Sequence, residues 1–281
     1  MDRIRPAAVA GSFYPAEAEE LSRLLDECFD SNPLGPQGAK TAKLSLLGGL
    51  VPHAGYIYSG SCAAHLYACL DNSIKRVILL GVNHQARGHR VALSSADFWQ
   101  TPLGWVKVDQ ELNHRLQDQL RFLKQDETAH TQEHSIEVQL PFLQRVLREF
   151  SLTPICLSHI SIEECADLGA AIANIVRENI HSGTRTVVMA SSDLSHYLSP
   201  KETAELDGMA LAEVLALNPR ALIDVAEREN ITMCGVLPTA VLLFAANGLG
   251  VKQASLLKHC HSGDAAPMRK VVGYASVAFE L

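Results

Sequence analysis

Two periods of hydrophobic and polar residues alternate along the chain. In "AEAEELSRLLDECF" (16–29), Leu21, Leu24, Leu25 and Phe29 recur at helical spacing and predict an amphipathic helix. "KLSLLGGLV" (43–51) and "RVILLGV" (76–82) are instead continuous apolar runs, the pattern of strands buried on both faces of a parallel sheet. "SLTPICLSH" (151–159) and "RTVVMASSD" (185–193) read as further strands, and "HRVALSS" and "GWVKVD" as shorter ones forming an antiparallel edge. Helices are predicted for "GSCAAHLYACL" (60–70), "QELNHRLQDQL" (110–120), "SIEVQLPFLQRVLREF" (135–150) and "SIEECADLGAAIANIVRENI" (161–180). The last of these has Ser161 and Glu164 at capping-box spacing. Two helices follow over 200–217 and 219–228, then an apolar helix, "GVLPTAVLLFAANG" (235–248), ended by Gly248. "KQASLLKHCHS" and "VGYASVAFE" close the chain as strands. Alternating strands and helices predict an α/β fold, with a central, mostly parallel sheet flanked by helices.

The chain is long enough, at 281 residues, for a substantial core. Its Pro-, Gly- and Lys-rich segment "SNPLGPQGAKTAK" (31–43) reads as a surface loop, because the residues before it are too few for an independent domain. The expectation is one domain over 1–281. Charged residues make up 20% and the formal net charge is −7, which argues against a nucleic-acid or anionic-membrane partner. No apolar run is long enough to span a membrane, and the first residues lack a signal-peptide segment. Seven cysteines without a CxxC pair fit reduced thiols, so a cytoplasmic location is expected.

The chemistry gathers at strand ends. Ligand crevices in such sheets lie beyond the carboxyl ends of the strands. One strand ends in "VPHAG", placing His53 there; another ends in "LLGVNH", placing His84; a third ends in "VVMASSDLSH", placing Asp193 and His196. Three strands sending a His or Asp to one edge predict a polar site. Each residue also has a plainer reading: a lone His after a strand can simply be a loop residue, and Asp193 can cap its own turn. In "TQEHSIE" (131–137), Glu133 and His134 fall at a predicted helix start, where Thr131 or Ser135 can act as the cap. An imidazolium is disfavoured there, so His134 is expected to be neutral or engaged by a partner. Cys234 precedes the apolar helix at 235, where a thiol is expected to have a lowered pKa and to bind metal or attack an electrophile; its plainer reading is a buried small hydrophobe. Cys62, Cys69, Cys156 and Cys165 lie in apolar patterns and read as small core residues. Tyr56 and Tyr58 follow His53, and one of them is expected to line the site. There is no Walker A loop, no GxGxxG after the first strand and no GxSxG elbow.

"AGSFYP", "VPHAGYIYSG", "LLGVNH", "EHSIEVQLPFLQ", "SSDLSHY" and "CGVLPTAVLL" together resemble the Memo family, in that family's order and across nearly the whole chain. Prokaryotic members are often named protein B of the AmmeMemoRadiSam system. The resemblance implies a fold similar to class III extradiol dioxygenases, a metal pocket of His53, His84 and Cys234, and His196 as acid/base with Asp193 beside it. His134, Glu133 and Tyr56 are then the substrate-side residues. It also implies a functional link to a radical-SAM enzyme and a second companion protein. A thiolate in place of the facial-triad carboxylate favours Cu(I), zinc or thiolate-tolerant iron. Three functions follow: an iron- or copper-dependent redox enzyme, a non-catalytic adaptor for a metal, peptide or small ligand, or a zinc hydrolase.

Overall fold

The computed structural model describes residues 2–39 and 45–281. In chain order its elements are β1 (Ile4–Arg5), α1 (Ala18–Asp26), β2 (Leu46–Val51), α2 (Tyr56–Tyr67), β3 (Ile74–Val82), β4 (Val91–Leu93), β5 (Phe98–Thr101) and β6 (Gly104–Val108). There follow α3 (Gln110–Gln119), β7 (Lys124–Gln125), α4 (Leu140–Val146), β8 (Ser151–Leu157), α5 (Ile162–His181), β9 (Arg185–Ser191) and β10 (His196–Leu198). The chain ends with α6 (Pro200–Leu215), α7 (Pro219–Arg228), α8 (Val236–Leu249), β11 (Gln253–His261), α9 (Ser262–Ala265) and β12 (Val271–Glu280).

The strands form one sheet, in the order β1-β5-β6-β8-β3-β9-β2-β12-β10, with β11 also paired to β12 and β4 to β8. Its centre, β6-β8-β3-β9-β2, is parallel, and the β12 side is antiparallel. This is the α/β architecture expected. Side chains alternate between faces. Along β3, Ile78 and Leu80 join one apolar cluster with α5 and α8 residues such as Ile172 and Val241. Val77 and Leu79 join the opposite cluster with Leu21, Leu66 and Phe142. Two glycines let β2 sit between close neighbours: a Cβ on Gly48 would lie 1.8 Å from the Val188 carbonyl oxygen, and one on Gly49 2.0 Å from that of Val277.

Several expected boundaries shift. The helix expected over 135–150 is a 3-10 turn, Glu137–Gln139, followed by the short α4. Pro141 sits in the first turn of α4, where its missing N–H is harmless; farther inside a longer helix it would break the ladder. Glu133 and His134 therefore lie in the loop ahead of it, and neither Thr131 nor Ser135 caps a helix. Ser135 Oγ pairs with the backbone of Val82, and Thr131 Oγ1 donates to the Glu127 carbonyl. The apolar helix α8 ends at Gly250 in a left-handed cap rather than at Gly248. α2 begins at Tyr56, earlier than expected. Residues 40–43 of the proposed surface loop, and 43 and 44 of the strand expected over 43–51, lie outside the described residues. Among the described residues, no helix is long and apolar enough to cross a membrane.

Candidate metal centre

β3, β9 and β2 are adjacent and parallel, so the residues just past their carboxyl ends share one edge of the sheet. His53 follows β2, His84 follows β3, and Ser191 ends β9 with Asp193 and His196 just beyond. The fourth contribution comes from the loop carrying Glu133 and His134, which packs directly on β3. A Cβ on Gly81 would lie 2.4 Å from Ile136 and 2.7 Å from Ser135 Oγ, so glycine at 81 admits this loop.

His53, His84 and His134 form a cluster in which one ring nitrogen of each lies within 4.8 Å of the others. The His84 and His134 rings stack at 4.6 Å, and His53 stands edge-on to both, at 5.1 and 5.3 Å. His53 is 2% exposed, so it is buried behind the other two rather than open at the edge; the side chains of His84 and His134 are 30% and 21% exposed. Cys234 adds a thiol, with Sγ 3.1 Å from His53 Nε2.

Hydrogen bonds preset the ring tautomers. Ser191 Oγ donates to the Ser135 carbonyl and accepts from Gln139 Nε2, so His53 Nδ1, 3.0 Å away, must donate to it. The Nε2 lone pair of His53 therefore faces Cys234. His84 Nδ1 lies 3.0 Å from Glu133 Oε1, which leaves its Nε2 free in the same sense. Glu133 also accepts the backbone N–H groups of His84, His134 and Ser135. Burial works against the ionised carboxylate, but the contacts from His84 and His134 win, and Glu133 is held down at about 2. Burial and the neighbouring imidazoles push His53 well below the usual histidine range. Burial also pulls His134 down to about 4, against the attraction of Glu133, in keeping with the neutral imidazole expected. Neutral imidazoles at His53 and His134, with the lone pairs of His53 and His84 fixed by their hydrogen bonds, suit a metal ion.

Three expectations need correction. Cys234 does not have a lowered pKa: α8 starts two residues later, and burial, with Asp193 nearby, pushes the thiol up to about 12. Tyr56 is not a pocket residue. It is buried in the core between Tyr14 and Phe142, and its hydroxyl donates to the Val138 carbonyl. Asp193 does not orient the His196 ring. Its Oδ1 accepts the His53 backbone N–H at 2.8 Å, while His196 Nδ1 donates to the Thr232 carbonyl at 2.8 Å. Burial raises Asp193 to about 6, despite the backbone donors it accepts.

The structure adds supports that the sequence reading missed. Gln139 donates to the Pro52 carbonyl and to Ser191, and its Oε1 accepts from Tyr67, so it links β2, β9 and α2 behind His53. Arg5 and Glu137 are both fully buried and pair at 2.6 Å. Arg5 also donates to the carbonyls of His130 and Glu133 and lies 4.1 Å over the Trp99 ring. The N-terminal segment thereby clamps the loop that carries Glu133 and His134. Glu137 and Gln139 stand in the same stretch as His134, yet a sequence pattern cannot distinguish a buried polar support from a solvated helix face.

The result is an α/β protein with a histidine-rich candidate metal centre at the carboxyl ends of its parallel strands. Residues 5–278 match the family of Memo-like proteins. Relatives named as MEMO1 family proteins include one from Methanopyrus kandleri, 39% identical over 282 residues that cover 98% of this chain and 98% of the relative. One from Methanosarcina acetivorans is 40% identical over 279 residues, covering 99% of each chain. One from Methanocaldococcus jannaschii is 37% identical over 292 residues, covering 100% of each. The chain belongs to the Memo-like family.

Proposed function

We propose that this protein is a mononuclear metal-dependent redox enzyme. The carrying observation is the three-imidazole cluster of His53, His84 and His134, with Cys234 beside it. The donor set fits a metal: His53 and His84 each direct a free Nε2 inward, and the Cys234 thiol supplies a soft donor. Iron or copper bound there would supply one-electron and oxygen chemistry. The protein's own residues do the rest. Glu133 and Ser191 orient the ligands, as hydrogen-bonded partners of metal-site histidines do. His196, with Nδ1 held by Thr232, presents Nε2 as an acid/base group toward a small-molecule or peptide ligand. The similarity to extradiol dioxygenases implied by the sequence motifs supports the same reading.

A second reading is favoured by one observation. Three clustered histidines are also a catalytic zinc set, so a zinc-dependent hydrolase competes. Metal analysis of protein purified anaerobically from its own host separates them. Iron or copper near one equivalent, with oxygen consumption on reduction, is the expected result. Zinc together with ester, amide or phosphate hydrolysis would replace the redox reading. Protein that arrives without metal and takes up none of the three would remove both.

A further inference from the structure

We propose that Asp207 and His259 form a positioning pair that sets His196, the acid/base group of the function proposed above. Asp207 lies on α6 and is completely buried. Its Oδ1 accepts the backbone N–H of Ser195 at 2.9 Å, and its Oδ2 lies 2.9 Å from His259 Nε2 on β11. The third wall is β12, where a Cβ on Gly273 would fall 1.9 Å from Oδ2. Glycine at 273 therefore makes the slot the carboxylate occupies.

The same glycine grips the turn from the other side. Its carbonyl accepts the Leu194 N–H at 2.8 Å, and its N–H donates to the Ser195 carbonyl at 2.9 Å. Both backbone groups of Ser195 are thus fastened, one by Asp207 and one by Gly273. His196 follows directly, with its N–H on Thr232 Oγ1 at 2.7 Å and its ring on the Thr232 carbonyl. The chain then bulges at β10, where Tyr197 is left-handed (φ 59°) and 69% exposed. A bulged, left-handed non-glycine residue persists only where its surroundings over-determine it. Asp207 fastens the backbone two residues before Tyr197.

The charge chemistry of the pair is specific. A buried carboxylate is costly unless its oxygens are satisfied. Here one oxygen meets the Ser195 amide, and the other faces the imidazole, whose Nε2 must donate to it. Asparagine has nearly the same volume but offers one acceptor and one donor, so it can keep Ser195 only by turning its NH2 to His259, which removes both the charge and the acceptor that fix that ring. Glutamine at 259 can still donate to Asp207; leucine cannot.

Long-range 1H–15N NMR of the histidine rings in metal-free protein reads the outcome, with His196 assigned from a His196→Asn spectrum. In the wild type, His196 is expected to show one locked tautomer, with well-separated Nδ1 and Nε2 shifts. In Asp207→Asn and His259→Leu these two shifts should converge, and in His259→Gln they should stay apart. Zinc affinity, measured by chelator competition, should change less than about twofold in all three, because the metal cluster shares no partner with the pair. Unmoved His196 shifts in a folded Asp207→Asn or His259→Leu protein would overturn the proposal. So would a loss of zinc affinity matching that of His84→Ala, since it would mark general disruption of the site. If Asp207→Asn does not fold, His259→Leu decides alone, because it removes only the imidazole that holds the second oxygen of Asp207 and so frees the carboxylate to turn away from Ser195. A wild type that binds no metal would end the metal reading, while the His196 shifts would still decide this one.

Discussion

The Nε2 of His53 lies 3.1 Å from the sulfur of Cys234, although 181 residues separate them in the chain. One follows β2 and the other precedes α8, and Asp193 touches both: its carboxylate accepts the His53 amide, and its carbonyl lies 3.7 Å from the thiol. A soft donor is thus held against an imidazole whose lone pair is already directed at it.

Cys234→Ser tests what the thiol adds. Cu(I) prefers sulfur, whereas zinc can be held by the three imidazoles alone. Cu(I) affinity is expected to fall by about tenfold or more, about 1.4 kcal/mol, with a smaller loss for zinc. Competition titrations with Cu(I) and zinc chelators measure both. Equal losses for the two metals would remove the thiol as a donor.

Glu133 fixes His84 and fastens the backbone of three site residues. Glu133→Gln keeps the size but loses an acceptor and the charge. Metal affinity should drop by roughly 10- to 100-fold, as for other hydrogen-bonded partners of metal ligands. Far-ultraviolet circular dichroism should stay unchanged. An unaltered affinity would show that the three rings do not depend on this carboxylate.

Removing half of the buried Arg5–Glu137 pair strands a charge. Glu137→Ala leaves Arg5 uncompensated and frees Tyr14 Oη and the amides of Ala8 and Val9. A destabilisation of roughly 3–5 kcal/mol is expected. In a chain of this size that is a fall in Tm on the order of 10 °C. A fall of only one or two degrees, read by calorimetry, would show that the clamp is a minor contributor.

His130 gives stability a dependence on pH. It is completely buried, and burial draws it down to about 4 from an ordinary 6.5. Between those values the unfolded chain binds the proton and the folded one does not, so stability rises with pH. Acidification from pH 7 should therefore cost stability from about 6.5 downward, by about 3 kcal/mol in total once pH 4 is passed. Urea midpoints measured across this range should fall, and His130→Gln should flatten that part of the curve. Identical slopes in the two proteins would assign the effect to other groups.

Much of this was legible in the sequence, because periodicity records burial. Short apolar stretches at 77–82 and 187–190 fit strands covered on both faces, and the capping box at Ser161 marked the start of α5. Strand ends rich in histidine pointed to the correct edge of the sheet, since parallel strands deliver their carboxyl ends together. The helix after His134 is shorter than its apolar spacing suggests, because that spacing begins before Pro141, whereas the α-helix starts in the turn that Pro141 occupies and ends at Val146. The sequence alone thus determined the fold class and drew attention to the sheet edge where His53 and His84 lie.

Tertiary structure decided the rest, through distance and burial that no local pattern carries. Only the order β3-β9-β2 brings His53 beside His84, and only the slot at Gly81 admits His134 to the cluster. Burial rather than position at a helix end governs the Cys234 thiol, and it also removes Tyr56 from the site. Arg5 with Glu137, Gln139 with Ser191, and Asp207 with His259 are pairs drawn from distant parts of the chain. Each exists because a buried polar group needs a partner, and the fold determines which residue is near enough to serve.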